Sequence, residues 1–113
     1  MLKTHPLHEK GIRVSRDYKK NERELIAILQ QLSKSDLIRA LGYSGPFRYV
    51  VDVWEIDERR AALLVNVANL CEKSADVNRA VHSGEISISK ARRISAPISN
   101  GEDPKAWVEK AKE

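Results

Sequence analysis

Apolar residues recur at intervals of three and four along most of the chain, which is the spacing of a helix buried on one side. The first such stripe is carried by a helix that begins after Ser15 or, more firmly, at Asn21. Its members are Leu25, Ile28, Leu29 and Leu32. Six further helices are predicted, each opened by a residue that favours capping: Ser33, Ser44, Asp57, Ser74, Ser87 and Asp103.

Strand-like alternation of polar and apolar residues is confined to residues 86–89, which helix signals flank. Gly42, Gly84 and Pro97 stand where predicted helices should end. The pattern therefore predicts an all-α fold, a compact multi-helix bundle.

The domain organisation predicted from the sequence is simple. Residues 1–14 show no helical period and include Pro6 and Gly11, so we expect a flexible basic arm there. Residues 15–113 are predicted to form a single helical domain, which suits a chain of 113 residues.

Composition supports the all-α fold and indicates what kind of partner the chain binds. The chain is 42% hydrophobic and 5% aromatic, a balance that favours packing of helices against helices. The formal net charge is +4, and basic residues concentrate in residues 3–39 and 71–100. A local basic excess is what a protein needs to bind a polyanion such as DNA.

Cysteine usage and hydropathy bear on the compartment. Cys71 is the single cysteine, so no internal disulfide can form, as is usual in a reducing cytoplasm. No apolar run approaches the roughly 20 residues that cross a bilayer, and the first residues lack the apolar stretch of a secretory signal. The sequence therefore predicts a cytoplasmic protein with no membrane partner.

The third and fourth predicted helices are separated by Trp54, Glu55 and Ile56, the layout of a helix-turn-helix. In that motif the second helix lies in the major groove of DNA. The outward face of the fourth helix carries Arg59, Arg60, Ala62, Asn66, Asn69 and Lys73. Arg can bond guanine and Asn can bond adenine, while Ala62 could contact a thymine methyl and Lys73 could meet a phosphate.

Two features oppose this interpretation of the fourth helix. Asp57 and Glu58 would repel phosphates at its start, although Asp57 also suits a helix cap. The usual glycine of the turn is missing, and Glu55 stands near its place. The alternative is that this polar face is simply an ordinary exposed helix surface.

A second basic site is formed by Lys90, Arg92 and Arg93 on the helix opened by Ser87. These side chains fall away from the predicted inner face of that helix, so they could hold phosphates and set the register on DNA. The alternative is that they solvate the surface or form ion pairs with Glu85.

Parts of the chain resemble a known family. Residues 41–44, Leu-Gly-Tyr-Ser, precede a helix with Phe47 and Tyr49, and this stretch is similar to the amino-terminal helical region of bacterial HNH endonuclease-type proteins. Residues 80–94 and 106–111 fit the same pattern. Residues 84–92 also resemble the helix-turn-helix of ParB-type partition proteins. The resemblance implies a DNA-facing segment that precedes a nuclease domain.

The catalytic centre of that family is not expected in this chain. An HNH centre needs several histidines around a metal ion, and here the histidines are His5, His8 and His82. His5 and His8 have ligand-like spacing but lie in the predicted arm, so we interpret them as incidental. No glycine-rich phosphate loop or Cys-x-x-Cys pair occurs either. The sequence therefore predicts no enzyme activity, no metal and no cofactor.

Two hypotheses follow from the sequence. The first is a module that binds double-stranded DNA, as a regulator or as the targeting part of an HNH-type nuclease. The second is a protein-interaction or dimerisation module with no nucleic-acid role, which docks a partner through the broad apolar fourth helix or the Trp107 helix. A homodimer would fit both. A decayed fragment without activity is a third alternative.

Overall fold

The computed structural model describes residues 5–16 and 18–113, and within them every regular element is a helix. The predicted all-α fold class is therefore confirmed. The helices are α1 (Pro6–Ser15), α2 (Tyr18–Lys34), α3 (Leu37–Ala40), α4 (Pro46–Val53), α5 (Glu58–Lys73), α6 (Ala75–Ser83), α7 (Ile88–Arg93), α8 (Ser95–Ser99) and α9 (Pro104–Lys112).

The chain divides into two compact units, and the single helical domain of residues 15–113 stays a prediction. The first unit extends to Val65 and the second begins at Asn66, so the division falls within α5. None of the described helices is long and apolar enough to cross a membrane.

Helix α1 occupies the place where the sequence predicted a flexible arm, and it packs against α2 in the first unit. Pro6 opens the helix, and the His5 imidazole caps it by accepting a hydrogen bond of 3.1 Å from the Leu7 amide. The buried positions are His8, Gly11 and Ser15, which lie three and four residues apart. A helical period exists here, but it is carried by small and polar residues.

Helix α2 begins at Tyr18, between the two predicted starts after Ser15 and at Asn21, and it bends at Asn21. Asn21 has φ −113° and ψ 18°, which breaks the helical geometry. Its side-chain amide donates a hydrogen bond of 3.2 Å to the Val14 carbonyl of α1. Asn21 therefore joins the two helices. The predicted stripe from Leu25 to Leu32 is buried as expected.

Tyr49 of α4 is the centre of an aromatic cluster in the first unit. Its side chain is fully buried, and its ring centroid lies 5.8 Å from that of His8, 5.6 Å from Tyr43 and 5.7 Å from Trp54. A hydrogen bond of 2.7 Å joins the Tyr49 hydroxyl to His8 Nδ1. Burial raises the pKa of Tyr49 to about 12. The cluster thus connects α1 to α4.

The second unit follows the predicted helix signals closely. The hydroxyls of Ser74 and Ser87 accept hydrogen bonds from the amides of Val77 and Lys90, at 3.3 Å and 3.1 Å. Asp103 caps α9 in the same way through the Lys105 amide. The predicted sixth helix is instead two short ones, since α7 ends at Arg93 and α8 follows from Ser95.

Candidate nucleic-acid interface

The connection between α4 and α5 consists of residues 54–57, of which Trp54 and Ile56 are buried. Glu55 is exposed and has φ +54°, a left-handed conformation that glycine adopts most easily. Glu55 therefore has the backbone conformation that glycine favours, in the short connection between α4 and α5. The chain thus connects the two helices within four residues without a glycine.

Replacing Glu55 with glycine is expected to stabilise the chain by about 0.5–1 kcal/mol. A residue with a Cβ in the left-handed conformation costs about 1–2 kcal/mol, which glycine would remove. Glycine also gives the unfolded chain more conformational freedom, and this offsets about half of the stabilisation. Glu55→Ala is the matched control, because it removes the carboxylate but keeps the Cβ. Urea unfolding should show a higher midpoint for Glu55→Gly alone. Equal shifts in both variants would exclude backbone strain as the cause.

Helix α5 is the fourth predicted helix, and each candidate DNA-binding residue on its predicted outward face is exposed. Arg59 and Arg60 lie in the stretch of α5 that belongs to the first unit. The Arg60 guanidinium is 3.6 Å from the Asp57 carboxylate, which compensates part of its charge. In the second unit, Asn66, Asn69 and Lys73 are exposed at successive helical turns.

The α7 helix presents the second predicted site. Ile88 and Ala91 are buried, which directs the other side of this short helix outward. Arg92 and Arg93 are exposed and Lys90 is half-buried. Among the residues that the structure describes, none of these three side chains forms an ion pair.

Glu85, the carboxylate that could have neutralised the positive charge of α7, is bound to other residues. Glu85 accepts a hydrogen bond of 2.9 Å from the Ser83 hydroxyl and lies 2.9 Å from Lys112 Nζ of α9. The hydrogen bond from Lys112 is the main cause that lowers the pKa of Glu85. The alternative in which Arg92 and Arg93 pair with Glu85 is therefore wrong.

An open groove of about 500 Å³ lies beside this cluster, entirely within the second unit. Residues from the end of α7 and from α9 line it: Lys90, Arg93, Ile94, Trp107, Lys110, Ala111 and Glu113. The Trp107 indole N–H donates a hydrogen bond of 3.1 Å to Glu102, and Lys110 Nζ lies 4.9 Å from the centre of the indole ring. Sequence reasoning noted Trp107 only as a docking residue and missed Lys110, which follows it by one helical turn.

The other residues considered for chemistry, His5, His8 and Cys71, are part of the folded structure. His5 caps α1 and His8 is bonded to Tyr49, so neither is incidental and neither lies in a loose arm. The described part of the chain contains no group of three or more His, Cys, Asp or Glu side chains placed to hold a metal ion. Burial raises the pKa of Cys71 to about 11, so its thiol stays protonated near neutral pH.

Comparisons with protein-family models, curated proteins and solved structures found no match for this chain. The resemblances to HNH-type and ParB-type proteins therefore stay predictions. A function has to be inferred from the residues themselves.

Proposed function

We propose that the chain binds double-stranded DNA, with α7 as its phosphate-binding element. The observation that carries this proposal is the uncompensated charge of Lys90, Arg92 and Arg93, three cations on a helix of six residues. Because Glu85 is bound to Lys112, the field of the three cations is left to act on a ligand. Phosphates of a duplex accept ion pairs and hydrogen bonds from Lys and Arg side chains of this kind.

Base reading is assigned to the exposed face of α5. Asn66 and Asn69 can each bond an adenine edge through two hydrogen bonds, and Lys73 can meet a phosphate at the end of the helix. Arg59 stays a further candidate for guanine, whereas Arg60 is weakened by its ion pair with Asp57. The chain would act as a regulator or as the targeting part of an HNH-type nuclease.

Fluorescence anisotropy with a random-sequence duplex at several salt concentrations tests the proposal. The variant Arg92→Gln/Arg93→Gln removes two phosphate contacts, so we expect roughly tenfold weaker binding in moderate salt. The plot of log affinity against log salt should become shallower by about 2, since each contact contributes about 0.9 to its slope.

The matched control is Arg48→Gln/Arg79→Gln, which changes the net charge by the same amount. Arg48 and Arg79 are exposed and already paired, with Asp52 at 3.1 Å and with Asp76 at 3.5 Å. The control should keep the affinity and slope of the original chain. An equal loss of DNA affinity in both variants would mean that binding depends only on net charge and not on the position of Arg92 and Arg93. No binding at low salt would retire the DNA hypothesis and favour the protein-interaction module.

A further inference from the structure

The groove between α7 and α9 combines positive charge with an aromatic surface. Its cationic residues are Lys90, Arg93 and Lys110, and the one carboxylate among its described lining residues is Glu113. Its apolar part consists of Ile94, Ala111 and the indole of Trp107. A volume of about 500 Å³ lies in the range of sites that hold small organic ligands.

We propose that this groove binds one nucleotide of a single-stranded nucleic acid, with the base on Trp107 and the flanking phosphates on Lys90 and Arg93. The inference rests on the proposed function, because Lys90 and Arg93 also belong to the α7 cluster. A cationic groove that contains an aromatic platform is the general solution for binding single strands, since every base has a flat face that can stack.

The surroundings of Trp107 prepare its ring for this role. The hydrogen bond from its indole N–H to Glu102 holds one edge in place. Lys110 Nζ lies over the ring at 4.9 Å, on a long and flexible side chain. A phosphate nearby would attract this ammonium, and a base would take its position over the indole. The exchange is favourable because base stacking on an aromatic ring is stronger than an exposed cation–π contact.

An acidic peptide is the competing occupant of the groove, because carboxylates would also meet its cations. The composition of the lining favours nucleic acid. Lys90 and Arg93 lie one helical turn apart on α7 and line the groove together with Trp107, whereas Arg92 is not among its lining residues. A nucleotide supplies both a flat base for the indole and phosphates for the cations, while an acidic peptide supplies the charge but needs no aromatic surface.

The test compares single-stranded oligothymidylate of roughly 12 nucleotides with the random-sequence duplex, by anisotropy on the intact chain. Trp107→Leu keeps an apolar side chain but removes the stacking surface, so we expect about tenfold weaker binding of the single strand. Duplex affinity should stay within about twofold, which also verifies folding of the variant. Trp107→Phe should restore most of the single-strand affinity. Lys110→Gln should weaken it, whereas Lys105→Gln, on the same helix but not among the residues that line the groove, should not.

The outcomes separate this inference from the proposed function. Loss of single-strand binding in Trp107→Leu with retained duplex binding would support it. Duplex binding with no single-strand binding, or with single-strand binding that ignores Trp107, would overturn it and leave the proposed function standing. Absence of both kinds of binding would overturn both. A Glu- and Phe-rich peptide that binds through Trp107 where oligothymidylate does not would reassign the groove to a protein partner.

Discussion

Replacing Gly11 with valine is expected to lower the free energy of unfolding by roughly 3 kcal/mol, at the upper end of the cost of overpacking a core. A Cβ at this position would lie 2.9 Å from both Cζ2 and Nε1 of Trp54, and 3.1 Å from Cε2. The indole is rigid and only 4% exposed, so it has little space to move. Helix α1 would have to shift away from the aromatic cluster that holds it.

A graded series checks this prediction by urea unfolding followed by circular dichroism. Gly11→Ala should be milder, because alanine regains about 1 kcal/mol of helix propensity over glycine while its Cβ still meets the indole. Arg13→Val is the matched control, since Arg13 is exposed on the same helix, and valine there lowers helix propensity and removes a last-turn cation without adding buried volume. Gly11→Val should have a clearly lower midpoint than this control. Equal midpoints would mean that α1 does not pack on Trp54 as described.

The same position shows why α1 was missed from the sequence. A search for helices depends on apolar residues at intervals of three and four, which Leu25, Leu29 and Leu32 supply for α2. In α1 the buried positions belong to His8, Gly11 and Ser15. Their burial is favourable because Trp54 fills the space beside Gly11 and Tyr49 bonds His8. Both partners are more than 35 positions away along the chain, beyond the reach of a local pattern.

The helices of the second unit were predictable because their caps are local. Ser74, Ser87 and Asp103 each bond an amide two or three residues further on, so the signal and the structure share one short segment. The basic residues of α7 could be placed on a helix from the sequence because the cap that opens this helix, Ser87, is local.

What the sequence left open was whether those charges are compensated. Glu85 lies closer in sequence to Arg92 than to Lys112, yet it binds Lys112 because α9 packs against α6 and α7. The groove has the same origin, since Lys90 and Trp107 line it together only because α9 packs against α7. The candidate site therefore consists of locally predictable residues, while its charge balance and its aromatic wall are set by tertiary contacts.

The chain is expected to lose stability steeply at alkaline pH through two buried acids. Burial raises the pKa of Cys71 from 9.0 to about 11 and that of Tyr49 from 10.0 to about 12. Above the ordinary pKa of each group, the unfolded chain releases a proton that the folded chain still holds, so rising pH favours unfolding. Each group can contribute up to roughly 3 kcal/mol, because a shift of one pKa unit is worth about 1.4 kcal/mol.

The two contributions begin at different pH values, so they can be separated below pH 10 and above pH 11. Cys71 acts between about pH 9 and 11, and Tyr49 between about pH 10 and 12. Urea unfolding with a reductant present should give a shallower fall from pH 9 to 10 for Cys71→Ala than for the original chain. Tyr49→Phe should instead flatten the fall above pH 10, at the cost of its bond to His8. If Cys71→Ala loses stability between pH 9 and 10 as steeply as the original chain, the Cys71 thiol is not buried as the structure places it, since titration of the surface lysines is common to both.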